Sequence, residues 1–175
     1  MAVHIIIDGY NLIRQSHTLS MLDQVDLQAG RDALVTRLIS YKRLKHHDIT
    51  VVFDGSDPSP LFRTRDRIGG IKIEFSRGSE TADTVIKRMV KKERHKALVV
   101  TSDLDIVHYA QSCSAATIAS PDFGTKLEQA AYMDQKGMDD ADADLRGWTP
   151  TTKKKGPSRR LSKRKRRNQA KIDKL

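Results

Sequence analysis

The sequence predicts an α/β domain, a three-layer α/β/α sandwich around a mainly parallel central sheet, followed by a basic C-terminal tail. Three observations carry that reading. Short, β-branched apolar runs (HIIID, ITVVFD, ALVVT) recur along the chain, and each stops at an acid or a polar turn. Stretches with apolar residues at helical spacing stand between them, which is the pattern of parallel βαβ units. The charge is divided as well. Residues 151–175 hold 12 of the 32 Lys and Arg and one of the 22 acids, hence +11, which leaves residues 1–150 at −1 within a net charge of +10.

Val3 to Asp8 reads as a buried strand closed by Gly9. Residues 9–25 read as an irregular connection. From Leu27 to His46 the apolar positions Leu27, Leu34, Leu38 and Tyr41 recur at helical spacing behind the N-cap candidate Asp26. Ile49 to Asp54 is a second strand. Residues 55–70 read as a loop from their Pro, Gly and Ser content. Ile71 to Phe75 alternates apolar and polar residues, as a half-covered or edge strand does. A helix is expected from Glu80 to His95, with Ala82, Val85, Ile86, Met89 and Val90 inward. Ala97 to Thr101 is a third buried strand, residues 104–112 are helical, Ala115 to Ala119 is a further strand and 121–136 a last helix. The domain therefore spans residues 1–148. Thr149 to Pro157 is a linker opening a tail, 149–175, that is disordered or partly helical, and Trp148 before it docks against the domain.

Several classes are excluded. The single cysteine, Cys113, forms no internal disulfide or cysteine-rich zinc site and reads as a small apolar filler. No apolar run approaches the roughly 20 residues of a membrane span, and no signal peptide is evident, so a cytoplasmic protein with no membrane partner is expected. With aromatics at 5%, the core must be aliphatic. The tail has no amphipathic apolar face, so its charge points to nucleic acid.

The chemistry is concentrated at the strand ends. Asp8, Asp54 and Asp103 each stand where a buried strand finishes, and parallel strands deliver their carboxyl ends to one rim, where ligands of open α/β sheets bind. Asp83, in the first turn of a helix starting near Glu80, belongs to the same rim. Gathered carboxylates repel one another and lose hydration, a situation a cation relieves. An oxygen-only set suits Mg²⁺ or Mn²⁺, which can activate water and stabilise charge on a phosphodiester. The bland alternative is that such acids cap helices or make turns, and Asp54, in an Asp-Gly turn, is the weakest of the group. Asn11 can return to the rim to orient a carboxylate or water. Glu80 can share a helix face with Asp83. Asp105 ranks below the core three, Ser102 reads as a cap for the next helix, and Tyr10 reads as a packing residue.

The motifs IIIDGYNLI, VVFDG, SETADTVI and VVTSDLD, in that order and spacing, resemble the NYN branch of the PIN-like nuclease superfamily, and most of all the YacP-like family, known as PIN-domain RNA-binding proteins or ribosome-associated endoribonucleases. The resemblance covers about residues 3–120. It implies a PIN-like sandwich whose acidic site binds Mg²⁺ or Mn²⁺ and cuts single-stranded RNA. By motif, Asp8, Asp83 and Asp103 are the metal-coordinating acids, with Asn11 and Glu80 in support. After TSD the chain reads LDIVHYAQ rather than a Gly-Ala-Arg-rich stretch, and the basic end KKKGPSRRLSKRKRR is not a feature of the family core.

For holding RNA the alternating Arg63, Arg65 and Arg67 are the first candidates, followed by the tail residues Lys153, Lys154, Lys155, Arg159 and Arg160, since basic side chains grip phosphate without reading sequence. Lys87, Lys91 and Arg94 read as a solvated helix face. The function expected is a metal-dependent endoribonuclease acting on single-stranded RNA, with mRNA or rRNA at the ribosome as the setting. The alternative is a non-catalytic RNA- or ribosome-binding adaptor that uses the tail. A phosphatase with an Asp nucleophile fits poorly, because Tyr10 stands where a second Asp is expected.

Overall fold

The computed structural model describes residues 3–55, 65–139 and 162–175. Among these the chain forms six strands and seven α-helices. In order they are β1 (His4–Asp8), α1 (Gly9–Gln15), α2 (His17–Val25), α3 (Leu27–Lys45), β2 (Asp48–Phe53), β3 (Arg65–Ile68), β4 (Ile71–Phe75), α4 (Ala82–Glu93), β5 (Ala97–Val100), α5 (Leu104–Ser112), β6 (Ala116–Ile118), α6 (Ser120–Asp139) and α7 (Lys163–Ile172). The sheet order is β3-β4-β2-β1-β5-β6. All pairings are parallel except β3 with β4.

Strand periodicity sorts the core into two layers. Successive side chains of a strand point to opposite faces. Ile5, Ile7, Val51, Phe53, Leu98 and Val100 accordingly pack with Leu12, Leu34, Leu38 and Phe123 of α1, α3 and α6. Ile6, Val52 and Val99 pack on the other face with Val85, Ile86 and Val90 of α4 and Ile106 of α5. Ile5, Ile6 and Ile7 are fully buried, and each such side chain stabilises the fold by about 1.5–3 kcal/mol. The mainly parallel α/β/α arrangement expected from the sequence is the one observed.

Two stretches read as irregular are ordered. Residues 9–25 form α1 and α2, broken at Ser16, whose backbone is extended. Helices this short are marginal alone. They persist because Asp8 caps α1 and because Leu12, Ile13 and Leu19 are buried. Within the loop assigned to 55–70, residues 65–68 form β3, paired with β4 in register Ile68↔Ile71. Gly69 and Gly70 make that hairpin at φ +56° and +83°, a conformation that favours two-residue connections built from glycine. β4 is thus not the edge; β3 is.

The expected linker and Trp148 lie outside the described residues. Further on, α7 packs back on the domain. Ile172 joins the core, Leu175 is buried, and the Tyr41 hydroxyl donates to the Leu175 carbonyl at 3.0 Å. Asn168 Nδ2 donates to Ala115 O at 3.5 Å, and Lys171 Nζ donates to the carbonyls of His95 and Ala97.

Candidate active site

The carboxyl ends of β1 and β5 are neighbours, and the acids that close them double as helix caps. Asp8 Oδ1 accepts from Asn11 N at 3.2 Å and caps α1, while Oδ2 accepts from Thr101 Oγ1 at 3.2 Å. Thr101 Oγ1 in turn accepts from Asp103 N at 3.1 Å, and Asp103 Oδ1 caps α5 through Asp105 N at 2.8 Å. Asp83 lies in the first turn of α4, whose cap is Thr81. Helix N-termini attract carboxylates. The capping alternative weighed from the sequence therefore holds for Asp8 and Asp103, and it is the means by which both are fixed at one rim.

These charges feel one another. Burial pushes the Asp8 carboxyl up from 3.8 to about 6, the hydrogen bonds from Asn11 and Thr101 oppose the rise, and the charges of Asp83 and Asp103 add to it. The Asp83 carboxyl is raised too, first by burial and then by Asp103, with further contributions from Asp105 and Asp54. The cation that opposes the Asp83 shift is Lys87, which is ion-paired with Asp105. Among the described residues no three His, Cys, Asp or Glu side chains form a ready-made metal cage. The donors are oxygen only, and Mg²⁺ characteristically takes one or two carboxylates, keeps waters and shares substrate phosphate. The oxygen-only donors Asp8 and Asp83, each with a raised pKa, fit that mode of binding.

The remaining predicted residues divide. Asn11 reaches the rim, and among the described residues its side chain bonds serines rather than a carboxylate. Its Oδ1 accepts from Ser102 N at 2.9 Å and from Ser120 Oγ at 2.7 Å, and so ties the first turn of α1 to the chain after β5 and to the start of α6. Ser102 is not the cap of α5, since Asp103 fills that place; its Oγ accepts from Ser120 N at 3.2 Å. Asp54 accepts from Ser76 Oγ at 2.9 Å, at a point where a Cβ on Gly55 would lie 2.0 Å from Ser76 O. Glu80 precedes α4 rather than lying in it, and it pairs with Arg88, which also approaches Glu74 at 3.6 Å. Asp105 is held by Lys87.

Arg65 and Arg67 stand on β3, opposite Glu74 and Lys72 of β4. Three strand spacings separate β3 from β1, about 14 Å of sheet. Arg63, Lys153, Lys154, Lys155, Arg159 and Arg160 lie outside the described residues. Tyr10 packs edge-on to Phe53 at 5.2 Å and accepts from Arg31 Nε at 2.8 Å, in agreement with its expected packing role.

Thr101, Ser120 and Lys87 at this rim escaped the sequence reading as site residues. Thr101 had a signal, because it directly precedes the Ser-Asp that closes β5. Ser120 and Lys87 had none, since their roles depend on where α6 and α4 begin.

A family model, the YacP-like NYN domain, matches residues 5–174. The chain belongs to the YacP-like NYN domain family. The match takes in α7 as well as the stretch carrying the quoted motifs. Two solved structures share the fold of this YacP-like chain. One is Rae1 (YacP) from Bacillus subtilis, 21% identical, covering 79% of this chain and 80% of that one at a TM-score of 0.64. The other is a tryptophan-to-leucine point mutant of the same Bacillus subtilis protein, 20% identical, covering 77% and 80% at a TM-score of 0.64. No curated protein matches the chain. The NYN family is nuclease-like, so the YacP-like domain has an RNase-like nuclease fold. No helix among its described residues is long and apolar enough to cross a membrane.

Proposed function

We propose that this YacP-like protein is a metal-dependent endoribonuclease that hydrolyses single-stranded RNA at the carboxyl rim of its sheet. The observation that carries the reading is the state of Asp8, a half-buried carboxylate lifted to about 6 by burial and by the facing Asp83 and Asp103. Perturbed pKa values cluster at functional sites, and ligands of open α/β sheets bind at the carboxyl ends of the strands. Family membership supports the same reaction class.

Asp8, Asp83 and Asp103 would hold Mg²⁺ or Mn²⁺. When bound, such an ion supplies charge neutralisation and Lewis acidity toward a phosphodiester. The chain's own part is positional. Thr101 bridges Asp8 to the backbone of Asp103, so the two acids keep a fixed separation. Asn11 and Ser120 lock the start of α6 against the same rim. Lys87 offsets part of the negative charge and holds Asp105 aside.

The test uses purified protein, a labelled single-stranded RNA and Mn²⁺, with EDTA as control. Cleavage is expected with metal and not with EDTA. Asp8→Asn should lower the rate by roughly 10²-fold or more, since the ion it would hold supplies several kcal/mol of transition-state stabilisation. A variant that cuts at the wild-type rate, or a wild-type protein that binds RNA and never cuts it, contradicts the assignment.

A further inference from the structure

A second charged feature lies at the opposite end of the sheet. α7 crosses the amino ends of the strands and leaves a groove of about 760 Å³ between itself and the residues that precede β1, β5 and β6, namely Val3, Lys96 and Ser114. The cationic lining is Lys96, Lys163, Arg164, Arg167, Lys171 and Lys174.

The register of α7 explains why these side chains face one way. Asn168, Ile172 and Leu175 form the docked face, through Ala115 O and the core. Arg164, Arg167, Lys171 and Lys174 follow at spacings of three and four, which places them along one neighbouring stripe. Among the described residues none of the six cations forms an ion pair with a carboxylate. The acids nearest in sequence are engaged elsewhere: Glu93 with His4 at 2.6 Å and Asp173 with Gln169 at 2.9 Å. The crowding shows in Lys171, whose pKa is lowered by burial and then by the charge of Arg167. Lys91 and Arg94 line an adjoining recess that shares His95, Ser114 and Arg167 with the groove, and so extend the positive surface.

We propose that this groove is a second RNA-binding surface, which grips the sugar–phosphate backbone of the polymer remote from the acidic rim. Uncompensated cations in a row along a concave surface match an extended polyanion and carry no means of reading bases. The length of β1 alone, about 17 Å, separates groove from rim. One RNA segment can therefore be held at the amino end while another lies at the carboxyl end. The proposal shares with the functional reading only the choice of RNA as polymer, and its test is independent of cleavage.

The experiment measures binding of a fluorescein-labelled single-stranded RNA of about 30 nucleotides by anisotropy, in EDTA so that no cutting occurs, from about 50 to about 300 mM NaCl, a span over which phosphate contacts weaken measurably. Full-length wild type is compared with Arg164→Glu/Arg167→Glu. The reversal should weaken binding at least about tenfold at roughly 100 mM salt. It should also flatten the slope of log affinity against log salt by about 1.4, from two lost phosphate contacts. Unchanged affinity and slope in the variant overturn the proposal. So does a loss confined to phosphatidylglycerol vesicles, with RNA binding intact. Arg164→Gln/Arg167→Gln serves if the reversal unfolds α7: smaller losses in the same direction support the groove, and none overturns it. Because the readout is taken without divalent metal, a protein that fails to cut RNA leaves this result standing.

Discussion

At the carboxyl end of the sheet, burial raises the pKa values of Asp8 and Asp83, and the neighbouring acidic charges, Asp103 among them, add to the rise. At the amino end, Lys96, Arg164, Arg167 and Lys174 line a groove without a carboxylate partner among the described residues. Both ends concentrate like charge, yet they are made differently. The acids arrive at strand ends and helix starts, Asp8 and Asp103 are fixed by capping bonds to α1 and α5, and Asp8 is largely desolvated. The cations arrive mostly on a single docked helix and stay largely exposed. Desolvated like charges store free energy that a small ion can release, whereas exposed cations interact with a long polyanion through counterion release. Under the two proposals, the carboxyl end serves the chemistry and the amino end the grip.

The largest effect is expected at the rim, where Asp8→Asn should reduce cleavage by roughly 10²-fold or more while leaving the amino-end groove intact. The second effect concerns stability and has a sign of its own. The Asp8 carboxyl holds its proton to about pH 6 in the fold, whereas the unfolded chain releases it near about pH 4. Between those values the folded state binds more protons, so stability falls as pH rises, by at most about 3 kcal/mol given partial solvent screening. Without metal, Asp8→Asn should therefore be more stable than wild type at about pH 7.5 and match it near pH 4, as read from urea unfolding at both values. A variant less stable than wild type at the higher pH would mean that the capping bonds of Asp8 outweigh the cost of burying its charge. The smallest effect sharpens the basic end. Tyr41→Phe removes the hydrogen bond to Leu175 O and should lower stability by about 1 kcal/mol, with loosening of α7 seen as faster amide exchange at residues 168–172.

Much of this was legible from residues alone, and the exceptions have physical causes. HIIID and ALVVT declare buried strands because each is short, β-branched and ended by a polar break, and parallel pairing then brings Asp8 and Asp103 to one rim. The helices at 9–25 were not legible, since each is too short to show a period, and the cap that holds the first reads equally as a catalytic acid. β3 is rich in charge, and only the Gly69-Gly70 pair betrays its hairpin. Glu80 was misplaced because Thr81, one residue later, captures the start of α4, and Arg88 then claims the carboxylate. The docking of α7 rests chiefly on Ile172 and Leu175, two apolar side chains in a run of cations, which no compositional reading weighs heavily enough.

The central claim is that the facing carboxylates form a site for a divalent cation. Calorimetric titration of the full-length protein with Mn²⁺ at about pH 6, in two buffers of different ionisation enthalpy, tests it most directly. Wild type should bind the ion and release protons as it does so, because Asp8 is near its midpoint there, and Asp8→Asn should lose both the heat of binding and the proton release. Binding of Mn²⁺ by Asp8→Asn with wild-type affinity and no change in protons released would contradict the account.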